Sequence, residues 1–314
     1  MPATVLVTGA TGFIGSALAR RLLADGVRVS GLVRSGSANR DRLAALPGLD
    51  RIEVADYSTA ELRSAFGSRR FDAVCHLASS GVIAGAANPA QLIAGNVSLV
   101  ADLLGALANS GVRRFIQTGS CFEYAPGPDG VPFTEASSVR PWSVYGAAKA
   151  ASVAFARTLS AESGLPLATL RLFGVYGPGE LPQRLVPHLL TRLERREAAD
   201  LTPGFQIRDL LYIDDAVEAY RAALTAPDAL FDGREYNVCT GTPVSVRAVG
   251  ALAAELLGAP PELLRWGAKP ARVEEPAWIA GDAGMFRAAT GWAPRFDLRA
   301  GLQATIEARK HEST

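Results

Sequence analysis

Cysteine is scarce in this chain, and the few present have no metal-ligand spacing. Cys75, Cys121 and Cys239 are odd in number and far apart, so neither a disulfide framework nor a zinc site is indicated and no metal is expected. Net charge is missing too. The balance of 32 Lys and Arg against 31 Asp and Glu leaves +1, which provides no field to draw in nucleic acid or an anionic membrane. No apolar stretch reads as long enough to span a bilayer. The first strand-like run begins at Thr4, leaving no room for the basic and apolar regions of a signal peptide, so a cytoplasmic setting is expected. Repeats, charge blocks and low-complexity tracts are absent as well, although residues 126–132 (PGPDGVP) read as a loop.

What is present is apolar: 48% of the residues are hydrophobic and 20% charged, a composition that suits a well-buried core. The length of 314 residues fits one large α/β unit with a smaller lobe. Apolar, β-branched runs at 4–8, 27–33, 51–55, 71–77, 113–118 and 167–173 alternate with helix-period segments, the clearest at 13–23, 89–109, 143–163 and 214–225. Such alternation predicts βαβ crossovers and a parallel sheet buried on both faces, hence a Rossmann-type doubly wound α/β fold. Pro89 suits a first helical position, and Gly111 and Gly164 sit where C-terminal caps belong. Beyond Phe173 the pattern loosens and Pro and Gly recur. Residues 1–172, with 209–240 returning, read as a dinucleotide-binding domain; 173–208 and 241–314 read as a smaller C-terminal substrate-binding lobe.

The first strand runs into Thr8-Gly9-Ala10-Thr11-Gly12-Phe13-Ile14-Gly15 and a helix opens at once. Glycines there let the backbone turn tightly and approach a pyrophosphate, which the helix N-terminus favours. At the end of strand two, Arg34 stands where an acidic residue would accept from the ribose 2′-OH. An arginine suits a 2′-phosphate, with Ser35 beside it, so NADP(H) is favoured over NAD(H); a solvated Arg34 stacking on adenine is the alternative. Asp56, after the third strand, reads either as an acceptor for the adenine amino group or as a plain loop residue.

Tyr145 and Lys149 lie four residues apart, on one face of the predicted helix 143–163. The lysine is expected to lower the phenol's pKa, so that Tyr145 exchanges a proton with a sugar hydroxyl or carbonyl. Ser120, at the C-terminal end of strand five, faces the ligand crevice of such a sheet and can bind the reacting oxygen. Together these motifs resemble the extended short-chain dehydrogenase/reductases, the NAD-dependent epimerase/dehydratase family. The likeness extends to His76-Leu77-Ala78, Asn96, residues 171–178 (RLFGVYGP), residues 208–215 (RDLLYIDD) and residues 291–294 (GWAP). It implies a nucleoside-diphosphate sugar as substrate, with Arg208, and Arg272 with Glu275, on its diphosphate and ribose. It also implies a homodimer formed through the helices 89–109 and 143–163. Arg208 paired with Asp209 or Asp214 is the structural alternative. Glu123 reads as a contact to sugar hydroxyls or as an exposed loop carboxylate, and Cys121 as a small buried filler.

Three departures narrow the reaction. Where the family's dehydratases carry Asp-Glu after the strand-five hydroxyl residue, this chain has Cys121-Phe122, which argues against elimination of water. The family's frequent Asn after Arg-Leu-Phe is Gly174, and a frequent Gly after the strand-five Tyr is Ala125. Residues 121–124 resemble keto-deoxysugar reductases. The reading is an NADP-dependent 4-ketoreductase of a nucleoside-diphosphate-4-keto-6-deoxysugar, as in deoxysugar biosynthesis. The alternatives are an NAD-dependent sugar-nucleotide 4-epimerase and a non-enzymatic NADP-binding sensor, although sensors of this fold generally lose the Tyr/Lys pair.

Overall fold

Alternate residues of the first strand bury into opposite cores: Val5 and Val7 pack on one face of the sheet and Leu6 on the other, all at 0% exposure. A strand covered on both faces has no polar side, which is why these strands read as continuous apolar runs. A computed structural model describes residues 1–37, 39–81, 88–271 and 275–312. In chain order β1 (Thr4–Thr8), α1 (Phe13–Ala24), β2 (Arg28–Arg34), β3 (Asp50–Val54), α2 (Thr59–Phe66) and β4 (Ala73–His76) come first. Then follow α3 (Pro89–Leu92), a π-helical turn (Ile93–Ser98), α4 (Leu99–Leu107), β5 (Arg114–Ser120), α5 (Val144–Ser163) and β6 (Leu167–Leu172).

The remaining elements are β7 (Gly174–Tyr176), α6 (Leu185–Glu194), β8 (Ala199–Leu201), β9 (Ile207–Tyr212), α7 (Ile213–Thr225) and β10 (Asp232–Val238). They are followed by β11 (Pro243–Ser245), α8 (Val246–Leu256), β12 (Leu264–Trp266), β13 (Trp278–Ile279), α9 (Gly284–Thr290) and α10 (Leu298–Glu312).

The main sheet has seven parallel strands in the order β10-β6-β5-β4-β1-β2-β3. Strand order reverses between β1 and β4, and a doubly wound sheet opens its ligand crevice there, at the carboxyl ends. Leu18 and Leu22 of α1 share one core with Val217 and Leu224 of α7. Leu62 of α2, Leu103 of α4 and Ala156 of α5 share the other. β7, β11 and β13 assemble around β9 into a separate four-stranded sheet, and β8 pairs β12.

Two expectations are corrected. The helical stretch Pro89–Leu107 is 19 residues long and, by length and composition alone, is apolar enough to cross a membrane; Leu99, Val100, Leu103, Leu104 and Leu107 spend that apolarity on burial. Gly164 does cap α5 in the left-handed conformation at φ 68, but α4 ends at Leu107 with Ala108 as its cap, so Gly111, at φ 80, belongs to the following loop.

Candidate active site

Three glycines shape the loop after β1. Gly9 has φ +71, and a Cβ there would stand 2.7 Å from the amide nitrogen of Ala78, after β4. A Cβ at Gly15 would stand 2.1 Å from the carbonyl oxygen of Gly9. Gly12 donates its N–H to Gly9 at 2.8 Å and caps α1 with no side-chain acceptor, so the first-turn N–H groups of Phe13, Ile14 and Gly15 have no intrahelical partner. A cradle that any Cβ would fill, rimmed by free donors at a helix N-terminus, fits a dinucleotide pyrophosphate. Thr11 Oγ1 and Ser37 Oγ share a hydrogen bond at 2.9 Å, tying the cradle to the loop after β2.

The other end of the cofactor cleft is mixed. Arg34 is exposed at the end of β2. Ser35, expected beside it as a cofactor contact, donates both its N–H (2.9 Å) and its hydroxyl (3.0 Å) to the carbonyl of Val54, so its donors are taken by β3. Asp56 is exposed, and its Oδ1 accepts from Ser58 N at 2.8 Å, a bond that holds the carboxyl below its ordinary range. This is the geometry of a loop aspartate leading into α2, whose N-cap is Ser58.

The expected Ser120, Tyr145 and Lys149 do come together. Gly146, beside Tyr145, is what permits it: a Cβ there would stand 2.1 Å from the carbonyl oxygen of Phe122, so α5 presses directly onto the turn after β5. Ser143 caps α5 by accepting from Gly146 N at 3.1 Å. Tyr145 is half-buried, and burial pushes the phenol up to about 12 against the opposing pull of the Ser79 and Ser120 hydroxyls nearby. Lys149 donates from Nζ to the Thr118 carbonyl at 2.5 Å, and burial brings it down to about 8 against the opposing charge of Glu123. His76 is buried and held down to about 3 by burial and by Lys149, and it shares a 2.8 Å hydrogen bond with the Thr8 hydroxyl. The expectation of a lowered phenol is corrected: burial outweighs the groups that pull it down. The Lys149 ammonium donates to a strand carbonyl.

Ser79 was not anticipated. Its hydroxyl donates to Asn96 Oδ1 at 2.7 Å, and the buried Asn96, presented by the π-helical turn, donates from Nδ2 to the carbonyls of Ser80 (3.1 Å) and Leu92 (2.9 Å). Ser79, a hydroxyl shortly after the C-terminal end of β4, faces the same crevice as Ser120 at the end of β5, and its position after a parallel strand is the signal that could have found it.

Substrate-side expectations fare less well. Glu123 is neither a sugar contact nor an exposed loop residue: it is 0% exposed and pairs with Arg171 Nε at 2.7 Å. Arg208 on β9 pairs with Glu275 at 2.5 Å, not with Asp209 or Asp214, and donates to the carbonyls of Ile207 and Pro276. Arg272 lies outside the described residues. A Cβ at Gly174 would stand 2.9 Å from the Asp209 carbonyl oxygen, so β7 lies too close to β9 here for a side chain unless the backbone shifts. Cys121 is buried, which pushes its thiol up to about 12. Phe122 packs on Trp142 and edge-on to Tyr145, with ring centroids at 5.3 and 5.9 Å.

A doubly wound sheet with a glycine cradle at its switch point and a Ser–Tyr–Lys cluster beside it defines an extended short-chain dehydrogenase/reductase. The chain belongs to the NAD dependent epimerase/dehydratase family, whose model matches residues 5–239. It is 32% identical to a dTDP-glucose 4,6-dehydratase of Streptomyces griseus, over 100% of this chain and 96% of that one. It is also 32% identical to a dTDP-6-deoxy-L-talose 4-dehydrogenase (NAD(P)(+)) of Kitasatospora kifunensis, over 95% and 93% of the two. Among solved structures, the UDP-glucose 4-epimerase of Thermotoga maritima with UDP-glucose superposes with a TM-score of 0.90 at 26% identity, covering 99% of this chain and 100% of the other.

Proposed function

We propose that this protein reduces the C4 ketone of a nucleoside-diphosphate-4-keto-6-deoxysugar with NADPH, Tyr145 giving the proton. The observation that carries the reading is the turn after Ser120. Its Cys121 thiol stays protonated and Phe122 does not titrate, so the turn offers no acid–base pair for eliminating water. Tyr145, beside the hydroxyls of Ser120 and Ser79, is the proton source at hand. Ser120 binds the carbonyl oxygen and stabilises the charge that grows on it, while Lys149 keeps a cation buried beneath the site. Residues 9–15 would hold the pyrophosphate of a bound dinucleotide, whose nicotinamide would supply the hydride. The exposure of Arg34 at the end of β2 supports NADPH in this reading, since a guanidinium can bind a 2′-phosphate.

Residues 1–172 with 209–240 form the cofactor side in this reading, and 173–208 with 241–314 the sugar side. Arg208 and Arg272 would bind the diphosphate, which for Arg208 means exchanging Glu275 for phosphate oxygens. Ile93 and Phe155, exposed on the Pro89–Leu107 stretch and on α5, support a homodimer. The resemblance to an epimerase over the whole chain supports a second reading, interconversion of a nucleotide sugar and its C4 epimer with retained NAD.

Mass balance separates the readings. With NADPH and a nucleoside-diphosphate-4-keto-6-deoxyhexose, a reductase oxidises one NADPH per sugar and yields a product two mass units heavier, with hydride label at C4. An epimerase leaves mass and bulk cofactor unchanged. No NADPH oxidation across a panel of such ketones, together with C4 interconversion of an ordinary sugar nucleotide, would replace the first reading by the second.

A further inference from the structure

We propose that the buried Glu123–Arg171 pair is a positioning device for Ser120: Glu123 clamps the turn that carries the serine, and Arg171 anchors Glu123 to the sheet. The proposal deepens the function proposed above and rests on its assignment of Ser120 and Tyr145.

The chain leaves β5 at Ser120 and folds back in a single 3-10 turn, Cys121–Glu123. Glu123 Oε1 accepts from Ser120 N at 2.6 Å, while Ser120 Oγ accepts from Phe122 N at 3.2 Å, closing a reciprocal capping box. That arrangement fixes the serine backbone and holds Oγ as an acceptor for Phe122 N, leaving the hydroxyl proton free for another partner. The second carboxylate oxygen, Oε2, receives Arg171 Nε at 2.7 Å. Arg171 stands on β6 opposite Gly119, and a Cβ at Gly119 would lie 2.8 Å from Glu123 Oε1 and 2.9 Å from Arg171 Cγ. The ion pair thus occupies the space a side chain would take. From Arg171 the anchoring continues: Nη1 donates to Tyr124 Oη at 3.2 Å, and Tyr124 donates to Asn237 Oδ1 on β10 at 2.7 Å. Ser120 is tied through one carboxylate to two neighbouring strands.

Stability alone is a weak reason for such a pair. Taking both charges out of water, with the side chains at 0% and 4% exposure, offsets most of their attraction, and apolar residues of equal volume are often as stable. What an apolar pair lacks is direction and charge. Glu123 gives Ser120 N an acceptor at a set angle and puts a carboxylate near Tyr145 and Lys149. The other groups facing those two are Cys121, His76 and the hydroxyls of Ser79 and Ser120; Arg171 in turn meets Tyr124 and Glu235. Glu123 raises both Tyr145 and Lys149.

The test compares Glu123→Gln, Glu123→Leu/Arg171→Met and Tyr145→Phe with the parent enzyme, in kcat, KM, pH profile and thermal melting. Glu123→Gln keeps the acceptor and removes the charge. It is expected to move the alkaline limb down by about one pH unit. The double variant removes both charges of the pair together, so neither is left buried without its partner. It is expected to fold yet lose at least about tenfold in kcat, with KM within about twofold, because a loosened serine costs orientation in the transition state. Wild-type kcat and an unmoved limb in both variants would overturn the positioning role. So would failure of the double variant to fold, which would assign the pair to stability. In the unmodified protein, amide hydrogens of residues 120–124 should exchange as slowly as those of β6, and fast exchange would overturn the clamp directly. Tyr145→Phe keeps the two proposals apart: if it turns over within about threefold of the parent, the site assignment itself fails, whatever Glu123 does.

Discussion

Lys149 Nζ donates to the carbonyl oxygen of Thr118 at 2.5 Å, two residues before Ser120. The bond links α5, which carries Tyr145, to β5, which carries the serine. It also explains how an ammonium at 3% exposure is tolerated: a strand end supplies a fixed acceptor where water cannot. Burial still brings the group down from 10.5 to about 8.

The alkaline limb of activity should accordingly fall near pH 8. Tyr145, at about 12, is still protonated there, so the lost cation is Lys149. Because its folded value lies below the unfolded one, the unfolded chain binds more protons in the window between them, and this group's contribution to stability grows as pH rises from about 8. Profiles of kcat/KM recorded beside thermal melts check this: activity should fall while the melting temperature holds. A parallel fall of both would point to unfolding instead.

Acid should act through His76. Its value of about 3 lies below the ordinary 6.5, so the unfolded state takes up the proton first and stability falls as pH drops below 6.5. Between pH 7 and pH 5 the loss from this one group is about 2 kcal/mol. Denaturant titrations at the two values, for the parent and for His76→Asn, should show that difference shrink in the variant. An equal loss in both would assign the acid sensitivity elsewhere.

Gly15 offers a test of sign. Helix propensity alone would favour alanine at that position by about 1 kcal/mol. The added Cβ would meet a backbone oxygen at 2.1 Å, however, and a backbone atom cannot rotate away. The net result of Gly15→Ala should be a loss of about 1–3 kcal/mol with weakened dinucleotide binding. Gly36→Ala, where no described residue stands within 4 Å of the new Cβ, should melt like the parent. Calorimetry and cofactor fluorescence read both, and a stabilised Gly15→Ala would contradict the packing of the cradle.

Arg34→Asp should weaken NADPH at least about tenfold more than NADH, since it adds repulsion as well as removing attraction. Equal weakening of both, or an NADH preference in the unmodified protein, would take away the support Arg34 gives a reductase and move the epimerase ahead.

Local rules carried the reading wherever one stretch of chain makes its own geometry. The cradle at residues 9–15 follows from what a tight turn into a helix requires, and Tyr145 and Lys149 share a face because helix geometry places residues four apart together. Six of the seven strands of the main sheet were visible as apolar runs for the same reason. The pattern weakened at β10, which begins with Asp232 and whose first residues lie outside the core, and in the short strands around β9, where two or three residues leave no periodicity to read.

Nothing within residues 121–124 says that Glu123 is buried. That follows from β5 pairing β6 in the register that sets Gly119 opposite Arg171, which brings a carboxylate and a guanidinium 48 residues apart to 2.7 Å. Ser79 reaches Tyr145 by the same kind of placement, from the end of β4 across to α5. The sequence alone determined which residues could do chemistry, because residue type and short spacing decide local backbone shape. Only the tertiary structure decided which of them face the cleft and which are spent holding it, because strand register sets the partners, and a buried charge must find one.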